Sequence, residues 1–92
     1  LVVSYVFFNN FAYANLENAN FKNAGLWFVD FYSANLTNAN LSGADLTGTF
    51  IMNSNLTNTN FDGSILNKTI FDEADIPVER AETTQYFLDC VN

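Results

Sequence analysis

The chain has 92 residues, and ten carboxylates against three cations give it a net charge of −7. That balance excludes nucleic acid as a direct ligand, since phosphate contacts require Lys and Arg, and it suits a neutral or basic partner. The length allows one domain or a fragment of one, with little core to spare if it were globular.

The first stretch, LVVSYVFF at residues 1–8, is apolar. It is too short to cross a bilayer, which takes about 20 apolar residues, and it lacks the basic flank of a signal peptide. No membrane span is expected in the chain. It begins at Leu1 rather than Met, so a processed form or a fragment is expected. Nothing polar protects this end. Either upstream residues cover it or it meets another surface, and end-to-end self-association through residues 1–8 is one way to hide it.

From Leu1 onward every fifth residue is large and apolar: Val6, Phe11, Leu16, Phe21, Leu26, Phe31, Leu36, Leu41, Leu46, Ile51, Leu56, Phe61, Leu66, Phe71 and Ile76. Two residues before each stands a small one, from Ala14 and Ala19 through Thr49, Ser54 and Thr59 to Ala74, with Asn9 and Val29 as exceptions. The residue between them is mostly Asn or Asp. A period of five matches neither the helix nor the strand. It reads instead as small inward, polar outward, large inward, which is a minimal piece of alternating strand. The two residues that follow are rich in Asn, Gly, Ser and Thr, as tight turns require. A strand-and-corner unit repeated in a constant sense winds into a solenoid.

The units ANLTN, ANLSG, ADLTG and SNLTN resemble the pentapeptide repeat family, over about residues 9–76 and with a weaker register back to Leu1. The resemblance implies an all-β solenoid, a right-handed quadrilateral β-helix in which four units make one coil and residue n stacks on n+20. Residues 1–76 would then form about four coils, roughly 20 Å long at the usual strand spacing. A second period agrees with a square. The central Phe residues fall at 11, 21, 31, 61 and 71, while positions ending in 6 hold Leu, Val or Ile. Rings would therefore enter from two opposing walls and aliphatics from the other two. The Asn/Asp slot is lost at Gly25, Phe50, Ile65 and Ile70.

Outward positions divide the solenoid. One wall carries Asn15, Asn35 and Asn55 with Glu17, Thr37 and Thr57; the next carries Asn20, Asn40 and Asn60. These ladders are expected to bond the backbone or their own copies one coil away. Elsewhere large apolar residues stand where polar ones are the rule: Phe7 with Trp27, Phe8 with Phe28, then Tyr13, Tyr32, Phe50, Met52 and Ile70. Such patches mark interaction sites, and aromatics are enriched in interface cores. The expected partner-binding residues are Phe7, Phe8, Tyr13, Trp27, Phe28, Tyr32, Phe50 and Met52. The occupant could be another protein, a flanking segment, or a stacked small molecule or sugar. Asn35, Asn40, Asn55 and Asn67 open Asn-x-Ser/Thr triplets, which a repeat of this kind generates automatically.

The five-residue rule stops at Ile76, and PVERAETTQYFLDCVN follows at 77–92. This segment is expected to cap the solenoid with a helix over 77–90. Pro77 suits the first turn, and Asp72, Glu73, Asp75, Glu79 and Glu82 suit its positive end. Val78, Ala81, Leu88 and Val91 can share one face, with Phe87 beside it. The acidic cluster reads as helix polarity rather than a metal site, since the chain has no histidine and the spacing is not that of a calcium loop. Cys90 is the only cysteine, so no internal disulfide forms. It is expected to be a small buried hydrophobe, with an intermolecular disulfide as the alternative.

No nucleophile has a base beside it, no Gly-rich phosphate loop follows a strand, and no carboxylate pair converges. We expect no enzyme activity, no catalytic residue, no cofactor and no metal. The resemblance implies a rigid interaction or scaffold module, and the aromatic edge read above is expected to dock on a larger protein complex. Members of the family include thylakoid-lumen proteins, so that lumen or another compartment that receives processed proteins is expected ahead of the cytoplasm. The alternative function the resemblance implies is an acidic mimic of DNA that inhibits an enzyme such as gyrase, although the carboxylates here gather near the C-terminus. Ice binding by the Asn35/Thr37 and Asn55/Thr57 ladders comes third.

Overall fold

The computed structural model describes residues 9–72 and residue 74. The apolar stretch 1–8, the 77–92 segment with its expected helix, and Cys90 lie outside the described residues.

Each five-residue unit contributes one backbone bridge and one turn. Parallel bridges join Asn10 to Asp30, Asn15 to Asn35, Asn20 to Asn40, Gly25 to Asp45, and so on to Phe50 with Ile70. Two hydrogen bonds build each. At Asn15, for example, the Leu16 N–H donates to the Asn35 carbonyl at 2.8 Å and the Asn35 N–H donates to the Ala14 carbonyl at 2.9 Å. The chain therefore returns over itself every twenty residues, and four units complete one circuit. No strand outgrows its single bridge among the described residues, because the backbone turns directly after each central residue.

The turn has its own chemistry. The N–H three residues on donates to the central carbonyl, as from Ala14 to Phe11, Ala19 to Leu16 and Ala24 to Phe21, each at 3.0 Å. The residue just before that donor takes a positive φ, between 56° and 70° throughout. This is the signature of a type II turn, which favours Gly or Asn there. Asn18, Asn23, Asn38, Asn53 and Asn58, with Gly43, Gly48 and Gly63, meet the demand. Tyr13, Phe28, Ser33 and Lys68 hold the same conformation without that advantage, at about 1–2 kcal/mol each for a side chain with a Cβ.

The circuit presents four faces, named here by their central residues. Face 1 holds Phe11, Phe31, Ile51 and Phe71; face 2 holds Leu16, Leu36 and Leu56; face 3 holds Phe21, Leu41 and Phe61; face 4 holds Leu26, Leu46 and Leu66. Apart from Phe11, which is partly buried, all of these central side chains are buried. Rings from faces 1 and 3 interleave across the shaft. Phe11 stacks on Phe31 with centroids 5.6 Å apart, and Phe21 meets both edge-on, at 6.2 Å from Phe11 and 5.7 Å from Phe31. Phe61 and Phe71 repeat the edge-on contact at 6.0 Å. These are favourable geometries for aromatic pairs. The small residues leave the room: Ala19, Ala24, Ala34, Ala39 and Ala44 are buried beside the rings.

Later small positions carry hydroxyls, and each finds an acceptor. Thr49, Thr59 and Thr69 donate to the carbonyls of Leu26, Leu36 and Leu46 in the preceding circuit, while Ser54 and Ser64 donate to Ile51 and Phe61 in their own turn. Among the described residues no buried side-chain polar atom lacks a partner. The Thr bonds tie successive circuits from inside. Thr59→Val keeps the shape and deletes the donor. The Leu36 carbonyl keeps its bond from Ala39 N–H at 2.9 Å, so the expected loss is about 0.5–1.5 kcal/mol in urea unfolding. A neutral result would show that these hydroxyls only fill space.

Candidate interaction surface

The slot before each central residue decides what each face shows to its surroundings. Where it holds Asn or Asp, the side-chain oxygen turns back and accepts the N–H two residues on: Asn10 from Ala12, Asn15 from Glu17, Asn20 from Lys22, Asp30 from Tyr32, Asn35 from Thr37. Such turns are the habitual use of Asx side chains in loops. Thr37, Ser42, Thr47 and Thr57 add a second bond to the same oxygen from their hydroxyls, at 2.6–2.7 Å. The ladders therefore satisfy their own turns. A bond between copies one circuit apart does occur, from Asn53 Nδ2 to Ser33 Oγ at 2.8 Å, but at a turn position.

Where the slot is not Asx, the surface changes. Gly25, Asp45 and Ile65 form one bridged column on face 4; Asp30, Phe50 and Ile70 form one on face 1. Face 4 and face 1 are neighbours in the circuit. Every exposed large hydrophobic among the described residues lies on these two faces: Tyr13 at 74 % exposure, Ile65 at 51 %, Phe28 at 47 %, Phe50 at 37 % and Ile70 at 36 %. Faces 2 and 3 expose none. The winding is thus polar on one half and apolar on the other.

The expected site residues do not all behave alike. Phe7 and Phe8 lie outside the described residues. Tyr13 and Tyr32 meet edge-on at 5.6 Å, and Tyr32 and Met52 are half-buried. Phe28 lies over Gly48 one circuit on; a Cβ there would fall 2.5 Å from its ring. Trp27 departs furthest from the expectation of an outward ring. It is half-buried and folds over Gly25, where a Cβ would stand 2.5 Å from the indole. Its Nε1–H donates to Asp45 Oδ2 at 2.7 Å, one circuit away. The missing Asx at position 25 is therefore the seat of the indole.

Asp45 completes this latch. Burial opposes its ionisation, but hydrogen bonds from the Thr47 hydroxyl, the Thr47 N–H and the Trp27 indole outweigh it and hold the carboxyl below its usual range. A carboxyl lowered in the folded state adds stability above its unfolded pKa. That contribution is lost as pH falls through the lowered value, so the latch is intact near neutrality. Ile65 joins the exposed set although the sequence reading does not place it in the site. Its signal is the lost slot, the same signal that marks Phe50 and Ile70.

No pocket indents the described surface. No group of three or more His, Cys, Asp or Glu able to hold a metal occurs among the described residues, and no helix there is long and apolar enough to cross a membrane.

Comparison with known proteins accords with this architecture. A family model described as pentapeptide repeats matches eight copies over residues 9–48 and 53–76, well over half of the chain. A crystal structure of a pentapeptide repeat protein from the Arabidopsis thaliana thylakoid lumen aligns with 88 % of the chain at 30 % identity and a TM-score of 0.59. That of the pentapeptide repeat protein Rfr23 from the cyanobacterium Cyanothece 51142 aligns with 80 % at 24 % identity and a TM-score of 0.63. Both imply a right-handed β-helical solenoid. The chain spans 65 % of the first and 61 % of the second, less than two thirds of either. Among curated proteins of assigned function, none matches the chain.

Proposed function

This chain belongs to the pentapeptide repeat family, and from that premise we propose that it is a non-enzymatic, rigid interaction module that docks on a larger protein assembly through the edge formed by faces 4 and 1. One observation carries the reading: all exposed large hydrophobics among the described residues fall on two adjacent faces, while the other two are closed by self-satisfied Asx turns. A backbone that bonds to itself at every circuit presents such an edge without ordering cost on binding.

We propose further that the winding is a square of about four coils over residues 1–76 and that a helix at 77–90 closes it. Likeness to a thylakoid-lumen protein supports a processed compartment of that kind. Mimicry of DNA draws no support from the described faces, where Glu17, Asp30, Asp45, Asp62 and Asp72 are the only carboxylates and are not evenly spaced.

The test uses the repeat's own grammar. Phe50→Asn, Ile65→Asn and Ile70→Asn together restore the Asx slot at three exposed positions. The fold is expected to persist, because each new side chain can accept the N–H two residues on, as Asn35 and Asn55 do. Association with the native assembly should fall by at least about tenfold if the edge is the interface core. The measurement is pull-down from native extract with intact-complex mass spectrometry, beside a far-UV spectrum. A triple variant that captures the same proteins as the parent would end the edge-docking reading.

A further inference from the structure

Beyond the existence of an apolar edge, its charge setting indicates what covers it. Each of the three slot hydrophobics has a carboxylate neighbour. Asp45 is bridged to Ile65 and Asp30 to Phe50, while Asp72 follows Ile70 by two residues and is exposed. Lys68, between Ile65 and Ile70, is the single cation on these two faces among the described residues. Asp30 and Asp45 each spend one oxygen on an Asx turn, and Asp45 spends the other on Trp27. They are thus fixed in place beside the hydrophobics rather than free to swing away.

This arrangement discriminates among occupants. The chain's own 77–92 segment brings Glu79, Glu82 and Asp89 against Arg80, and a second copy brings a net charge of −7. Either would set carboxylates against carboxylates, and like charges across an interface suppress association. Resting on the interaction-module reading above, we propose that the occupant of the Phe50–Ile65–Ile70 surface is a basic amphipathic segment of another protein. Its apolar side chains meet these three residues, and its Lys or Arg side chains lie against Asp30, Asp45 and Asp72. The apolar contact supplies most of the affinity; the carboxylates supply orientation and encounter rate, in a salt-dependent way.

Two synthetic amphipathic peptides of one apolar pattern test this, one built from Leu and Lys and the other from Leu and Glu. Each is titrated by fluorescence anisotropy against the full chain. A second protein carries Asp30→Asn and Asp72→Asn; the amide oxygen introduced in place of the Asp30 carboxylate still accepts the Tyr32 N–H, so the turn is kept. A third is the triple Asn variant, whose charge is unchanged. The Leu–Lys peptide is expected to bind the parent and to weaken about tenfold on the triple variant. It should weaken about threefold on the charge variant, and by a similar factor between about 50 and about 300 mM salt. Equal binding of the Leu–Glu peptide, or binding of neither, overturns the proposal. So does equal binding of the Leu–Lys peptide to the triple variant, which would be mere attraction to an anionic chain. If the peptides fail while extract pull-down still depends on the three hydrophobics, only the basic-partner inference falls; if that dependence is missing, the module reading falls as well.

Discussion

Phe31→Ala is expected to lower the unfolding free energy by about 3–5 kcal/mol, the range for truncating a well-packed buried ring. Phe31 is fully buried, stacked on Phe11 and edge-on to Phe21. A globular core softens such a loss by collapsing into the void. Here the backbone on either side is pinned. The Phe31 N–H donates to the Phe50 carbonyl at 2.7 Å and the Asp30 N–H to the Asn9 carbonyl at 3.0 Å. Relaxation would have to break that ladder, so the effect should sit near the top of the range. Domains of this size hold only about 5–15 kcal/mol, so a large share of the stability is at stake. In a solenoid each circuit touches only its neighbours, and Phe31 sits in one with neighbours on both sides. Urea unfolding followed by circular dichroism reads the loss. A cost below about 1 kcal/mol would mean that the shaft is loosely filled.

Gly25→Ala is the second large effect, expected to cost about 1–3 kcal/mol. A single methyl group on an outward position is ordinarily harmless. Here it would stand 2.5 Å from the Trp27 ring. A free side chain would step aside at little cost, but this one is held by its indole bond to Asp45. To admit the methyl group, Trp27 must leave its seat, lose that bond to a charged acceptor and expose its ring. The chain has one tryptophan, so the movement is directly visible as a red shift in fluorescence. The control is the same substitution in a Trp27→Ala background. There the penalty should vanish and turn into a gain of about 0.4–1 kcal/mol, because Ala restricts the unfolded chain more than Gly does. A penalty that persists without the indole would place the clash elsewhere.

The two substitutions differ in how far they can be anticipated. Phe31 stands at a central position with rings ten residues before it and thirty and forty after, and inward burial follows from the five-residue period alone. The same holds for Ala34 and Thr59, small positions that the structure buries. Gly25 is visible only as a gap in the Asx pattern. Its meaning depends on a bond between residues eighteen apart, and no local rule states which way an outward indole will lean. Trp27 reads in sequence as a docking residue, and the structure adds that its indole is bonded within the molecule to Asp45. Ile65 shows the converse. It occupies a slot that the pattern flags, yet only its exposure, on the same two faces as Phe28 and Phe50, makes it part of the edge.

The Asn ladders fall between these cases. Their regularity invites readings such as ice binding, which needs hydroxyls and amides turned to water. The hydroxyls of Thr37 and Thr57 instead donate to Asn35 and Asn55. A repeat that looks like a recognition array is first a set of turn locks.

From the sequence alone one can read the five-residue winding and the side of the backbone on which each residue falls; the register of twenty is implied by the family resemblance and seen in the bridges. The winding and the sidedness depend on a period, and a period is a local property: an Asx, a large apolar residue and a Gly or Asn at positive φ set each corner independently of the rest. Only the tertiary structure decides which outward residues remain available to a partner. That choice is made between circuits, where a ring can lie down on a glycine twenty residues away or bond to a carboxylate across the ladder, and such contacts arise only once the chain has closed on itself.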